Sequence, residues 1–496
     1  MMQLVAWPVL LPLVAGFLIL FAKAWGLNLQ RLINLIVVIA LITLNISLLN
    51  EASTGEYNVY LLGNWQAPFG IVLVLDQLSA LMITITSILA LASLVYAIVT
   101  NTDSKGAHFH VLFQLILFGL NGAFLTGDLF NLFVFFEVLL LASYGLLLHG
   151  GGRARTKAGL HYVVINLVGA TLFLFGVGAL YGVFGTLNIA DMAAMVASLP
   201  EEDFGLVAAA GLILLVVFGV KAALFPLYLW LPISYANTSA AVATLFAIMT
   251  KVGIYSIIRV HGTIFGDDAG QLANYYMPWV LGLGLLTLLI AAFGVMAAKG
   301  LREQVSYLVL ASVATLLIAG GINTPTALNA AFYYLIHSTF IAGAMFILAD
   351  IIARGRGSFN DRFESGFALP QAILVGSFFM FGAIAMTGMP PLSGFFGKVL
   401  ILNAALDHAW AAIIFTVVLV AGLLMIITLA KTGSLLFYNT LPKEEKSLID
   451  ADLNQPKQQS VSVKESLVVI GLFALIPLLV IFAQPITQFT ESAAKQ

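Results

Sequence analysis

Apolar residues in this chain come in long runs. Fourteen stretches lie near 4–22, 32–49, 78–99, 111–127, 129–148, 160–183, 205–230, 239–258, 277–298, 304–322, 326–349, 367–405, 410–438 and 464–484. A helix needs about 20 apolar residues to cross a bilayer core, so the pattern predicts an all-α polytopic membrane protein with about 14 transmembrane helices. The seventh and twelfth stretches are long and carry prolines near their middles: Pro226 and Pro232 in one, Pro390 and Pro391 in the other. The first run has no basic residue before it and Lys23 after it, which reads as a retained span and not a cleaved signal. The polar, turn-rich stretch 50–70 is expected to be an outside loop with room for a short hairpin, and 440–465 an inside loop rich in charge and Gln.

Composition agrees, with 61% hydrophobic and 9% charged residues, against about 25% charged in a soluble domain. Sorting the loops onto alternate sides places nearly all loop Lys and Arg on one side. These include Lys23, Arg31, Lys105, Arg153, Arg302, Arg354, Lys443 and Lys446, with only Arg259 and Lys495 opposite. By the positive-inside rule the first side is cytoplasmic, and both termini are expected outside a bacterial-type cell membrane. One miscounted span would invert every later loop and spoil this bias. The net charge of -2 and the lack of basic clusters interleaved with aromatics give nucleic-acid binding no support. With no cysteine, disulfides and Cys-ligated zinc or iron–sulfur sites are excluded for this chain. HExxH and P-loop spacings are absent too, so neither a metal nor a cofactor is expected, and redox chemistry would sit on a partner.

The informative residues are the charges inside the spans. Each costs at least about 2.5–3.5 kcal/mol at the bilayer centre and persists only with a partner, a bundle interior or water. Glu137 lies among phenylalanines in LFNLFVFFEVLLLASYG, with no basic residue within one turn, so its partner must come from another helix. Lys221 precedes Pro226, whose missing N–H frees the Ala222 carbonyl beside the lysine. Lys251 lies within the eighth stretch, and Lys398 follows Pro391 in the twelfth. One break has its lysine before the proline and the other after it, as an inverted repeat would give. His337 is mid-span, and histidine changes charge near neutral pH. Lys431 and His161 lie nearer span ends and are candidates for additional relay groups. For each of these the plainer alternative is a structural one: an ion pair that fixes packing, a snorkelling lysine, a satisfied core histidine.

The runs NLFVFFE (Asn131–Glu137), KAALFPLYLWLP (Lys221–Pro232), TKVGIY (Thr250–Tyr255) and GMPPLSGFFGK (Gly388–Lys398) together resemble a known family. It comprises the antiporter-like subunits of respiratory complex I and of Mrp-type multisubunit Na⁺/H⁺ antiporters. The resemblance covers nearly the whole chain and is greatest to the D-type member of the Mrp set. It implies fourteen helices with two inverted five-helix repeats and broken helices 7 and 12. The implied division is 1–110 for helices 1–3, 111–258 for the first repeat, 259–438 for the second, and 439–496 for a cytoplasmic loop and helix 14. It also implies a proton relay at the membrane midplane: Glu137 paired with Lys221, then Lys251 and His337, then Lys398. The implied partners are other Mrp subunits in a hetero-oligomeric complex, with protons and Na⁺ or another monovalent cation as the transported ions.

Two departures bear on the subtype. Lys398 stands where the M-type member of the complex I set typically has glutamate. Ile233 and Tyr235 stand where complex I relatives often have an acidic residue and a histidine. The leading expectation is therefore a non-enzymatic antiporter subunit. The competitors are a proton-pumping subunit of complex I or a related redox complex, a self-sufficient transporter of a small solute, and a structural scaffold. A scaffold leaves the mid-membrane charges without a purpose.

Overall fold

The structure, a computed structural model, describes residues 2–441 and 457–496. Lys443 and Lys446 and the middle of the loop expected at 440–465 lie outside the described residues.

The chain is built almost wholly of helices: α1 (Trp7–Ala22), α2 (Leu27–Ala52), α3 (Gln77–Val99), α4 (Phe109–Leu125), α5 (Leu129–Leu147), α6 (Arg153–Phe184) and α7 (Ile189–Val196). The first broken helix follows as α8 (Phe204–Ala222) and α9 (Trp230–Asn237). Next come α10 (Ala240–Phe246), α11 (Met249–Ser256), α12 (Gly262–Ile264), α13 (Met277–Ala297), α14 (Leu301–Ile322) and α15 (Pro325–Gly355). The second broken helix is α16 (Ala372–Thr387) and α17 (Ser393–Ala404), followed by α18 (Ala411–Phe437), α19 (Val463–Ile481) and α20 (Ala483–Lys495). Among the described residues, 12 helices or helix series are long and apolar enough to cross a membrane, and α4, α16 and α17 are shorter apolar helices.

Helix starts follow the local sequence. Asp76 caps α3, its carboxylate accepting from the Ser79 N–H while the Ser79 hydroxyl accepts from the Asp76 N–H. Ser462 and Glu465 do the same for α19, and Thr324 followed by Pro325 starts α15. Arg31, Arg153, Arg302 and Arg354, expected in loops, lie within helices instead. The helices outrun their apolar stretches because a helix continues through the headgroup layer, where charged ends meet water.

Three expectations need correction. The hairpin runs past the stretch read for it: β1 (Asn58–Leu61) lies inside that stretch and pairs antiparallel with β2 (Val72–Leu75), which lies wholly beyond residue 70. Arg259, read as an outside loop residue, belongs to the helix series Ala240–Ile264 and pairs with Asp76. The eighth stretch, read as one helix, is divided by a turn at Ala247–Ile248 and widens into a π turn at Ile257–His261.

The core of the molecule is the group of segments Ala240–Ile264, Leu301–Ile322 and Pro325–Gly355, each with 94% of its apolar window buried. By contrast α2 and α18 bury only 28% and form the rim. Lipid is as apolar as Leu, so burial here reflects packing and polar contacts more than a hydrophobic drive. One polar cluster ties several helices at one end. Asp350 pairs with Arg302 at 3.0 Å and Arg354 at 2.9 Å, Arg354 pairs with Glu465 at 2.7 Å, and the Tyr96 hydroxyl donates to Asp350.

Candidate functional site

The first break stops α8 at Ala222, where Ala223 turns into the left-handed region with φ 56°. Two carbonyls before it are taken: Gly219 accepts from the Leu224 N–H at 2.8 Å, and Val220 from the Trp230 indole at 2.9 Å. Beyond it the Phe225 N–H donates to the Thr287 hydroxyl at 2.9 Å. Membrane-depth backbone is tolerated where protein groups satisfy it in this way. Lys221 is buried one residue before the helix end. Its ammonium donates to Asn166 Oδ1 at 3.0 Å and lies 5.4 Å from the centre of the Phe136 ring. Glu137, half-buried on α5 next to Phe136, is not within ion-pair distance of Lys221: among the described residues, no ion pair joins them. A cavity of about 10 Å³ lies against Lys221, lined also by Phe136, Tyr162, Asn166 and Trp230, which is about the space one water centre needs.

The middle of the site is the turn between α10 and α11. The Ala247 and Ile248 N–H groups bond three residues back, to Thr244 and Leu245, which tightens the helix. The Phe246 carbonyl accepts from the Tyr235 hydroxyl at 2.7 Å. Lys251 follows in the first turn of α11, fully buried, and among the described residues its Nζ has no hydrogen-bond partner. Two residues on, Gly253 lies against the backbone of α8: a methyl group there would fall 2.7 Å from the Phe218 oxygen and 2.8 Å from the Lys221 carbonyl carbon. This contact sets Lys251 and Lys221 on crossing helices.

The second break lies between α16 and α17. Lys398, half-buried one turn into α17, reaches back across the break to donate to the Thr387 carbonyl at 2.7 Å, at the end of α16. His337, buried on α15, places Nδ1 2.8 Å from the Ser393 hydroxyl at the start of α17. Gly394 keeps that approach open, since a methyl group there would fall 2.6 Å from both His337 Nε2 and the Ala385 oxygen. The proline segment between the half-helices thus presents small residues to the histidine and its broken end to the lysine.

The residues singled out by the sequence fall into two groups. Lys221, Lys251, His337 and Lys398 lie in or beside the two breaks and the central turn, with Glu137 bordering the first. His161 and Lys431 are exposed at the surface of the chain, on α6 and α18. Asn166, Tyr235 and Ser393 hold the ionisable groups or their backbone, and sequence reading gave them no such part. Amides and hydroxyls are ordinary in membrane helices, so only their positions mark them. Among the described residues no group of three or more His, Asp or Glu converges as a metal site.

Residues 126–424 match the family described as NADH:quinone oxidoreductase/Mrp antiporter, TM. The chain is 44% identical over 423 residues to the D-type subunit of a probable K(+)/H(+) antiporter of Rhizobium meliloti, covering 81% of this chain and 78% of that protein. It is 38% identical over 501 residues to the D-type subunit of a Na(+)/H(+) antiporter of Alkalihalophilus pseudofirmus, covering 100% and 97%. Among solved structures, a chain of the Mrp complex from Dietzia sp. DQ12-45-1b superposes with a TM-score of 0.86 at 27% identity, covering 99% of this chain and 96% of that one. A chain of respiratory complex I from Thermus thermophilus with bound NADH shares the fold, with a TM-score of 0.78 at 24% identity and 99% coverage of both.

Proposed function

The chain belongs to the NADH:quinone oxidoreductase/Mrp antiporter family, and on that premise we propose that it is the D-type subunit of a multisubunit antiporter. The complex exchanges a monovalent cation for protons across the cell membrane, and this subunit acts as an ion-translocating part, not as an enzyme. Both termini face the outside, by the bias of basic residues toward the opposite loops. The domain division is that of two five-helix repeats, 111–258 and 259–438, preceded by 1–110 and followed by 439–496.

The observation that carries this reading is Lys251: a fully buried amine without a hydrogen-bond partner among the described residues, between two helix breaks that each hold a lysine. A structural lysine would have found an acceptor, because an unpaired buried charge is costly. A proton carrier is served by the opposite arrangement, an amine whose partners are transient water and its neighbours' charge. Lys221 has two acceptors within its range of motion. Bonded to Asn166, as here, it leaves Glu137 free; when Glu137 takes it, the charge at the first break is neutralised. Each change alters the field at Lys251, and Coulomb interactions reach far in a poorly polarisable interior. His337 and Lys398 carry the proton onward across the second break.

The test uses the assembled complex in sealed vesicles, with proton flux driven by a Na⁺ or a K⁺ gradient. Glu137→Gln, Lys221→Ala and Lys398→Ala are each expected to abolish exchange while the partner subunits still co-purify. Full exchange by a well-assembled Glu137→Gln variant would overturn the relay. Flavin and iron–sulfur absorbance in the purified complex would instead place the chain in a redox-driven pump.

A further inference from the structure

The helix that carries Lys251 continues toward the face that holds the C-terminal Gln496. Lys251, Tyr255 and Arg259 follow at four-residue spacing, so they share one side of the helix. Eight residues of helix span about 12 Å. At the far end lies an open pocket of about 270 Å³, lined by Asp76, Arg259, Thr263, Asn274, Asn323 and Gln496 among others. A short column therefore separates the unpartnered Lys251 amine from a polar pocket at the molecular surface.

Arg259 stands in that column, and its contacts are arranged to block it. Its Nη1 lies 2.5 Å from Asp76 Oδ2, and its Nε donates to the Tyr255 hydroxyl oxygen at 3.1 Å. The Tyr255 hydroxyl donates its own hydrogen to the Phe124 carbonyl at 2.6 Å. The Asp76 carboxylate is buried and anchored by the Ser79 N–H at 2.8 Å. A proton hop through Tyr255 needs a free lone pair on one side and a free acceptor on the other. Here the arginine takes one lone pair of the oxygen and sets its positive charge against it, and the carbonyl holds the hydrogen. Guanidinium has five donors, no acceptor and does not deprotonate, so it ends any proton wire that meets it. Its fixed positive charge repels an entering cation in the same way that a pore arginine excludes cations and protons.

We propose that Arg259, clamped between Asp76 and Tyr255, is a charge seal that closes the direct route between Lys251 and the pocket at the C-terminal face. The proposal rests on the relay reading of Lys251. Its effect is to make transport coupled: a proton on Lys251 cannot escape along its own helix and has to travel through His337 and Lys398. Arg259 acts as a positioning and excluding residue, touching no transported proton itself.

The experiment measures passive proton entry into vesicles that contain the purified, assembled complex and an internal pH dye. An inward thiocyanate gradient sets an inside-negative potential that drives entry, with neither Na⁺ nor K⁺ present. The wild-type complex is expected to be tight. Arg259→Gln is expected to admit protons at least 10-fold faster with its partner subunits retained, and Arg259→Lys, which keeps the charge, to restore tightness. The leak is expected to vanish in the Arg259→Gln/Lys251→Ala double variant. An assembled Arg259→Gln complex as tight as wild type overturns the seal. A leak that survives Lys251→Ala shows a route that bypasses the lysine, which overturns the relay reading and leaves Arg259 as a plug of another path. Should Arg259→Gln fail to assemble, Asp76→Asn releases the arginine from its carboxylate clamp and leaves the Tyr255 hydroxyl in place; a tight vesicle with that variant also overturns the seal.

Discussion

At Lys221 the ammonium has one hydrogen-bonded acceptor, Asn166 Oδ1, and a carboxylate nearby that it does not touch. A hydrogen bond to a charged group contributes about 1.5–3 kcal/mol. Asn166→Leu removes the acceptor and its share of that energy, and biases Lys221 toward Glu137. Exchange is expected to fall at least about 10-fold with assembly intact, measured as cation-driven proton flux; an unchanged rate would show that Asn166 is only packing. Intramembrane charges were legible in the sequence because they are rare among apolar neighbours, and Lys221, Lys251, His337 and Lys398 are all at helix breaks or the central turn. Asn166 and Ser393 were not legible, since nothing in their local sequence separates them from Asn121 or Ser338. His110 was missed for a related reason: its partners Asn34 and Asp103 are distant in sequence or across a turn. That cluster makes a second residue-level prediction, outside the membrane. Burial opposes ionisation of Asp103, but hydrogen bonds from His110 and Arg31 outweigh it and hold the carboxyl at a pKa of about 2. A carboxyl depressed below its unfolded value of about 3.9 stabilises the fold fully above that pH and loses its contribution as pH falls toward 2. Hydrogen-exchange protection of the turn at Thr102–Lys105 is therefore expected to hold from pH 7 to about 4 and then decline. In Asp103→Asn it is expected to be low throughout, and equal protection in the two proteins at pH 7 would contradict the assignment.

The helices differ in how far their breaks could be foreseen. Pro226 and the Pro390–Pro391 pair announce two of them, because proline removes an N–H and crowds the preceding turn. The division between α10 and α11 has no proline or glycine at Ala247–Ile248. Long-range contacts accompany it instead: the Tyr235 hydroxyl on the Phe246 carbonyl, and the Thr244 hydroxyl on the Gly343 carbonyl at 3.1 Å. Sequence periodicity has no access to a bend held by tertiary contacts. Tyr235 also shows what a substitution can conceal, for the position that often bears a histidine in complex I relatives here carries a phenol committed to backbone. The crossing of α11 on α8 depends on one missing methyl group. Gly253→Ala places a methyl against the Ala222 N–H, the Phe218 carbonyl and the Lys221 backbone, none of which is a flexible side-chain tip. Overpacking of this kind costs about 1–3 kcal/mol. The variant is expected to lower the recovered complex or to cut exchange at least several-fold. Gly178→Ala on α6, with nothing within 4 Å, serves as the control and is expected to be neutral. Equal behaviour of the two would mean that α8 and α11 adjust without moving their lysines.

For the molecule as a whole, the order of the charged groups makes a claim that no single residue can make. Lys221 and Lys398 belong to different broken helices, α8 and α17, with Lys251 and His337 lying between them in sequence on α11 and α15. If the proton passes these groups in series, each is indispensable and the route has one throughput. Lys221→Ala and Lys398→Ala should then each remove exchange to the same background, and the double variant should be no worse than either. Two parallel half-channels would behave differently: each single variant would keep a share of the flux, and the double would lose both shares. The effects of sites that share no partner normally add, so complete loss without further loss is the signature of a serial path. Ionic strength gives an independent check. Buried charges are screened far less than exposed ones. Exchange should therefore vary little when an impermeant, untransported salt is raised, whereas stability tied to the partly exposed Arg302, Asp350 and Arg354 cluster should soften. Flux that falls with that salt while the cluster stays intact would place the rate-limiting charges at the surface, and the midplane groups would then be scaffolding for a path that runs elsewhere.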